Sequence, residues 1–282
     1  MAGALLTAPM APAEATQPDN PATVQTDFGE VHVDAKDVEV ATREGEAARA
    51  AAMSVLALAN PRFSIVEKGL TPTRWGEVSA EGDPIYVWPF RPGSDGTVLT
   101  PTAYLLRHEI GHDLFIRHFA PNTKNGQYGG DAPDWLDEMA AVAFEGPEQM
   151  QSRRRSLMQI RARGDMLSMR EFLTMAHPEL ALLSEDQPVL PDGKVIPFRN
   201  PGSRKTAIFY PMACGFYDYL VSKTGTTSII LDIVAAWRKG EPLERWIAEK
   251  ALGFAPSSDF SELDDSFDLF LRSDPRYSIY AK

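Results

Sequence analysis

The chain has 282 residues, 44% of them hydrophobic and 24% charged, with a formal net charge of −11. That length fits one large domain or two small ones, and the composition supports a core of normal size. The acidic balance argues against nucleic acid as a main partner, the single cysteine excludes an internal disulfide, and the lack of an apolar run of about 18 residues argues against stable membrane insertion.

Residues 1–27 are rich in Ala, Pro and Thr and show no periodicity, so they are expected to form a disordered tail. Within them Ala13-Glu14-Ala15 resembles the small-x-small end of a secretory signal, although no basic segment precedes it. An extracytoplasmic location, secreted or periplasmic, is the resulting expectation, with the cytoplasm as the alternative. Residues 31–33 and 38–40 alternate like short strands, and the Ala-rich stretch 43–59 predicts a helix ending before Asn60-Pro61. Residues 63–66 and 85–88 predict strands, separated by a Gly82-Asp83-Pro84 turn and followed by a loop over 91–97. A helix is expected from Pro101 to Phe119. Beyond it the pattern is helical over 133–145, 147–163, 168–176, 204–224, 226–239, 241–252 and 259–272, with a long Pro/Gly-containing loop at 184–203. The expected class is α+β. A small α/β half spans 28–130 and ends in the 101–119 helix, and a mostly helical half spans 131–282.

That helix carries His108-Glu109-Ile110-Gly111-His112. Residues i and i+4 lie one above the other on a helix face, so the two imidazoles can ligate one metal ion, and zinc suits such ligands best. Glu109 would then stand beside the metal, placed to take a proton from metal-bound water. Leu106, Ile110 and Leu114 occupy other faces, which predicts a buried helix. Buried histidines need partners, and a metal supplies them.

A catalytic zinc requires a third protein ligand. His118 has the spacing of a third histidine, but Phe115 stands where a helix-breaking glycine would be needed. In an unbroken helix His118 lies about 9 Å further along and on another face. Glu138, in Asp134-Trp135-Leu136-Asp137-Glu138-Met139-Ala140-Ala141, is the better candidate, with Glu145 and Asp137 as fallbacks. Trp135, Leu136, Glu138 and Ala141, some 20–30 residues beyond the first motif, resemble the W-L-x-E-x-x-A pattern of the gluzincin zinc metallopeptidases, the peptidase-MA-like group. The resemblance covers roughly residues 84–272 and is strongest at the two metal motifs. It implies a zincin-like, thermolysin-type catalytic domain holding one zinc ion through His108, His112 and Glu138. In that family a tyrosine opening a later helix donates a hydrogen bond to the oxyanion. Tyr210, with Tyr219, Leu220 and Gly225 following in the family layout, inherits that role, and Tyr217 and Tyr219 are its rivals. Glu241-Pro242-Leu243 and Phe260-Ser261-Glu262-Leu263 resemble the group's helical tail. No G-x-M-E-N segment precedes the zinc motif, which argues against aminopeptidase specificity.

The combined expectation is a zinc metallopeptidase, an endopeptidase acting on a peptide or protein, with Glu109 and Tyr210 as catalytic residues. The alternatives are a catalytically silent binding module of the same fold and a zinc amidohydrolase acting on a non-peptide substrate. Strand 85–88 is a candidate edge for pairing with an extended peptide. Arg153-Arg154-Arg155 reads as a solvated helix face, and Cys214 as a small buried hydrophobe. Neither specificity nor oligomeric state can be read from the sequence.

Overall fold

The computed structural model describes residues 20–67, 77–78, 82–88, 91–92, 98–99, 103–123, 130–177, 204–254 and 260–280. The small-x-small segment and the 184–203 loop lie outside these residues. The class is α+β, and the chain divides into two compact units: Met1–Thr42 with Arg62–Thr102, and Arg43–Pro61 with Ala103–Lys282.

The first unit is built on a mixed sheet of β1 (Pro21–Gln25), β2 (Glu30–Asp34), β3 (Ser64–Glu67), β4 (Glu77–Val78) and β5 (Pro84–Trp88), in the order β1-β2-β3-β5-β4. Strands β2, β3 and β5 run parallel, and β1 and β4 pair antiparallel at the two ends. Val31 and Val33 alternate into the core, as period-2 patterning requires, beside the rings of Phe28, Phe63 and Tyr86. Gly29 has φ +142°, and a Cβ there would lie 2.0 Å from the Phe63 carbonyl oxygen, so only glycine fits. Two short strands, β6 (Arg91–Pro92) and β7 (Val98–Leu99), pair separately.

Three expectations are corrected in this part of the chain. The disordered tail expected over 1–27 does not include Pro21–Gln25, which form β1 against β2. Residues 38–40 are not a strand but the start of α1 (Val38–Val55). There Ala41, Glu44, Ala48, Ala52 and Val55 are buried at helical spacing, and that stripe overrides the β-branched preference of two valines. Strand β5 is not the sheet's edge, since β4 covers Pro84 and Ile85.

The second unit is helical. It contains α2 (Ala103–Phe119), α3 (Asp134–Ala143), α4 (Pro147–Ala162), α5 (Met169–Thr174), α6 (Arg204–Thr224), α7 (Ile229–Arg238), α8 (Leu243–Trp246), α9 (Ser261–Ser273) and α10 (Pro275–Ser278). The expected 241–252 helix changes type midway, running on from α8 as a π-helical turn over Ile247–Ala251. Helix α10 was not expected; the Asp274 side chain caps it and Pro275 opens it. Helix α2 groups with the helical unit, as does the segment Arg43–Pro61.

Helix α3 is the centre of this unit, packed against α2 and α6. Every residue from Trp135 to Val142 is buried, including Asp137 and Glu138. Trp135 anchors it, its ring 6.5 Å from Phe172 of α5 and 6.1 Å from Phe216 of α6. Behind α6 the aromatic core continues through Tyr219, Phe267 and Phe270. The buried Asp218 carboxylate accepts from Arg154, Arg276 and Tyr277, joining α4, α6 and α10. No described helix is long and apolar enough to cross a membrane.

Candidate metal centre

One helical turn separates His108 and His112 on α2, and their rings meet edge to face with centroids 4.7 Å apart. Both are buried, and Leu106, Ile110 and Leu114 are buried on the helix's other faces. Helix α3 brings the fully buried Glu138 up to them, so that one donor atom from each of the three residues lies within 4.8 Å of the other two.

Each imidazole is held from behind. The Nδ1 of His108 lies 3.0 Å from Glu145 Oε1, and that of His112 lies 2.8 Å from Asp137 Oδ1. An ionised carboxylate only accepts, so each Nδ1 carries a proton and, in the neutral ring, Nε2 keeps its lone pair for the centre. This is the orientation that outer carboxylates impose on metal-binding histidines. Asp137 and Glu145, sequence fallbacks for the third ligand, therefore sit behind the histidines instead.

The donor set fits a metal on two further grounds. First, neither Glu138 oxygen has a hydrogen-bond partner among the described residues although both are buried. Facing them are the Nε2 atoms of His108 at 3.4 Å, His112 at 3.5 Å and His177 at 3.6 Å. A buried carboxylate without hydrogen bonds is costly unless something positive faces it. Second, the two ligand Nε2 atoms lie 3.1 Å apart, a separation that requires a proton or a cation between them. The charges of the carboxylate and the imidazoles are complementary. Burial would raise the Glu138 pKa, yet the facing imidazoles hold it well below the ordinary carboxylate range. Burial works against charge on His112, but Asp137 and then Glu138 raise its pKa well above the ordinary 6.5.

Around the donors the other candidates separate. Tyr210 lies in α6 with its ring 6.0 Å from that of His108. Helix α6 starts six residues earlier, so Tyr210 sits in its second turn and does not open it. Its rivals face elsewhere: the Tyr217 hydroxyl donates to the Thr227 carbonyl and that of Tyr219 to Ser266. Burial raises the pKa of Tyr217 to about 12. Glu109 is exposed beside the buried histidines, with no hydrogen bond or ion pair to any described residue. His118 is exposed near the end of α2, away from the three donors. Cys214 is fully buried, and burial pushes its thiol pKa up, the opposite of what a nucleophile needs.

The sequence reading missed His177. It is 1% exposed, its Nε2 lies 3.4 Å from the Tyr210 hydroxyl, and its backbone N–H donates to Asp134 Oδ2 at 2.5 Å. The available signal was its type alone: it is one of five histidines in the chain, and two others already form the motif. The arginine run is also corrected. Arg153 and Arg154 are mostly covered and each grips a buried carboxylate, Glu145 and Asp218 respectively; only Arg155 is exposed. Comparison with protein-family models, curated proteins and solved structures finds no match to this chain.

Proposed function

We propose that the chain is a zinc-dependent metallopeptidase of the gluzincin type, with a zincin-like catalytic fold, and that it hydrolyses internal bonds of a peptide or protein. The observation that carries this reading is the buried His108–His112–Glu138 cluster, with a carboxylate that makes no hydrogen bond to the described residues and two imidazoles oriented from behind. Two imidazoles and one carboxylate form the His₂Glu set typical of a catalytic zinc with an open fourth position. The resemblance of His108–His112 and Trp135–Ala141 to the gluzincin motifs supports the same reading.

His108, His112 and Glu138 would hold the ion, which supplies the positive charge that acidifies a water and polarises a carbonyl. Glu109 is open to solvent, takes the proton of the attacking water and hands it to the leaving amine. Tyr210 donates its phenolic hydrogen to the carbonyl oxygen as that oxygen gains charge. His177, within reach of the Tyr210 hydroxyl, holds the phenol on the Glu138 side of the centre.

The test is bound metal and casein cleavage for the native chain and for Glu109→Gln. Both proteins binding one zinc, with only the native chain cleaving, is the expected result. A native chain without zinc overturns the metal centre. Zinc-loaded native protein that cleaves nothing turns the reading to a binding module. Equal cleavage by both removes Glu109 from its role.

A further inference from the structure

We propose that Arg153 is a positioning residue that fixes ligand His108 and the phenol of Tyr210 relative to one another. This rests on the metal-centre reading above, and it gives a function to the first member of the arginine run.

Three contacts of one guanidinium carry the inference. Its Nε donates to Glu145 Oε2 at 2.6 Å and its Nη2 donates to Glu145 Oε1, a two-pronged grip on a side chain that is itself 0% exposed. The same Glu145 Oε1 accepts from His108 Nδ1. The opposite relationship is to Tyr210, whose ring lies under the guanidinium with Cζ 4.9 Å from the centroid. One planar cation therefore sets both the carboxylate that orients a ligand and the ring that bears the phenol. It links α4, the turn after α3, α2 and α6 through side chains alone. Only arginine has this shape, because the planar fork matches a carboxylate edge while its face stacks on an aromatic ring.

The contrast with His112 sharpens the point. Its carboxylate, Asp137, leaves Oδ2 without a hydrogen bond to the described residues, so no described arginine grips it as Arg153 grips Glu145. The clamp is built on the ligand whose ring lies 6.0 Å from that of Tyr210. Nor is it a general property of the basic run. Successive helix positions point about 100° apart. Arg154 accordingly turns to Asp218, and Arg155 lies over Tyr280 with Cζ 5.6 Å from the centroid.

The test uses the full chain as native protein, Arg153→Lys and Arg153→Met, each checked for folding by near-ultraviolet circular dichroism. Zinc affinity is measured by competition with a chelator, and ligand geometry by the visible spectrum of the cobalt(II)-substituted proteins. Both variants are expected to bind zinc more weakly, by up to the roughly 10–100-fold that losing a ligand's direct outer partner costs, and to show a changed cobalt spectrum. Lysine fails with methionine because charge without the fork cannot hold Glu145 and Tyr210 together. Where the native chain cleaves peptide, Tyr210→Phe lowers kcat much less in the Arg153→Lys background than in the native one. Native protein that binds no zinc overturns the metal centre and this proposal with it. Native protein that binds zinc, with both folded variants matching it in affinity and cobalt spectrum, overturns the role of Arg153 alone.

Discussion

A Cβ on Gly111 would stand 2.9 Å from the Cα of Ala141, so the two helices that carry the candidate metal donors meet backbone to backbone at this residue. Gly111 lies between the two motif histidines, and Ala141 lies three residues after Glu138. The close approach is what lets a carboxylate on α3 reach imidazoles on α2. Gly111→Ala would gain helix propensity of about 1 kcal/mol in isolation. Here the added methyl also meets the Phe144 ring at 3.1 Å, and overpacking of this kind costs roughly 1–3 kcal/mol. The expected outcome is lower stability in urea denaturation together with weakened zinc binding, because the separation between Glu138 and the histidines must grow.

Glu138 and His118 make opposite predictions. Glu138→Ala removes a donor from the cluster, and zinc affinity should fall by more than the roughly 10–100-fold that an outer partner is worth. His118→Ala removes an exposed side chain near the end of α2 and should leave zinc stoichiometry and affinity unchanged. Metal analysis after dialysis against a weak chelator checks both. Retention by the Glu138 variant with loss by the His118 variant would reverse the ligand assignment.

The donors were legible in the sequence because helical spacing is local information. His108 and His112 share a face by their separation alone, and Trp135, Leu136 and Glu138 form a recognisable unit within one helix. The surroundings were not legible, because each depends on a contact between distant segments. Only the packing of α3 on α2 assigns Glu145 to His108 and Asp137 to His112. His177 reaches Glu138 and Tyr210 from the segment after α5, held there by Asp134, and no periodicity marks it. The three arginines looked alike until buried carboxylates claimed two of them. At 38–40 the reverse holds: alternation over three residues mimics a strand, while the longer helical stripe that begins there decides the structure.

Two tyrosines in one helix should respond differently to loss of the hydroxyl. Tyr217 is buried and donates to the Thr227 carbonyl, so Tyr217→Phe should cost about 0.5–1.5 kcal/mol of stability and leave peptide cleavage unchanged. Tyr210→Phe should lower kcat by about 10²–10³-fold, the cost of removing one oxyanion donor, with little effect on folding. Denaturation curves and steady-state kinetics on the two variants separate a packing hydroxyl from a catalytic one.

The acid side of the stability profile should report the joint between α4 and α9. Arg161 Nε donates to Asp268 Oδ1 at 2.5 Å, and Arg272 adds a second contact at 3.0 Å. The Arg161 hydrogen bond, against a smaller opposing effect of burial, lowers the Asp268 pKa below its ordinary 3.8. A carboxylate whose folded value is depressed adds stability that is fully present above the unfolded value and is lost as pH falls through the folded one. Asp268→Asn should therefore be less stable than the native chain at neutral pH. The group is partly exposed, so solvent screening keeps the difference near 0.2–1 kcal/mol. The gap should hold down to about pH 4 and then close as the native Asp268 takes up its proton. Urea denaturation of both proteins from pH 7 to pH 3 measures it. A gap that stays constant or widens towards acid would show that the ion pair contributes nothing to the joint and that the asparagine acts through packing.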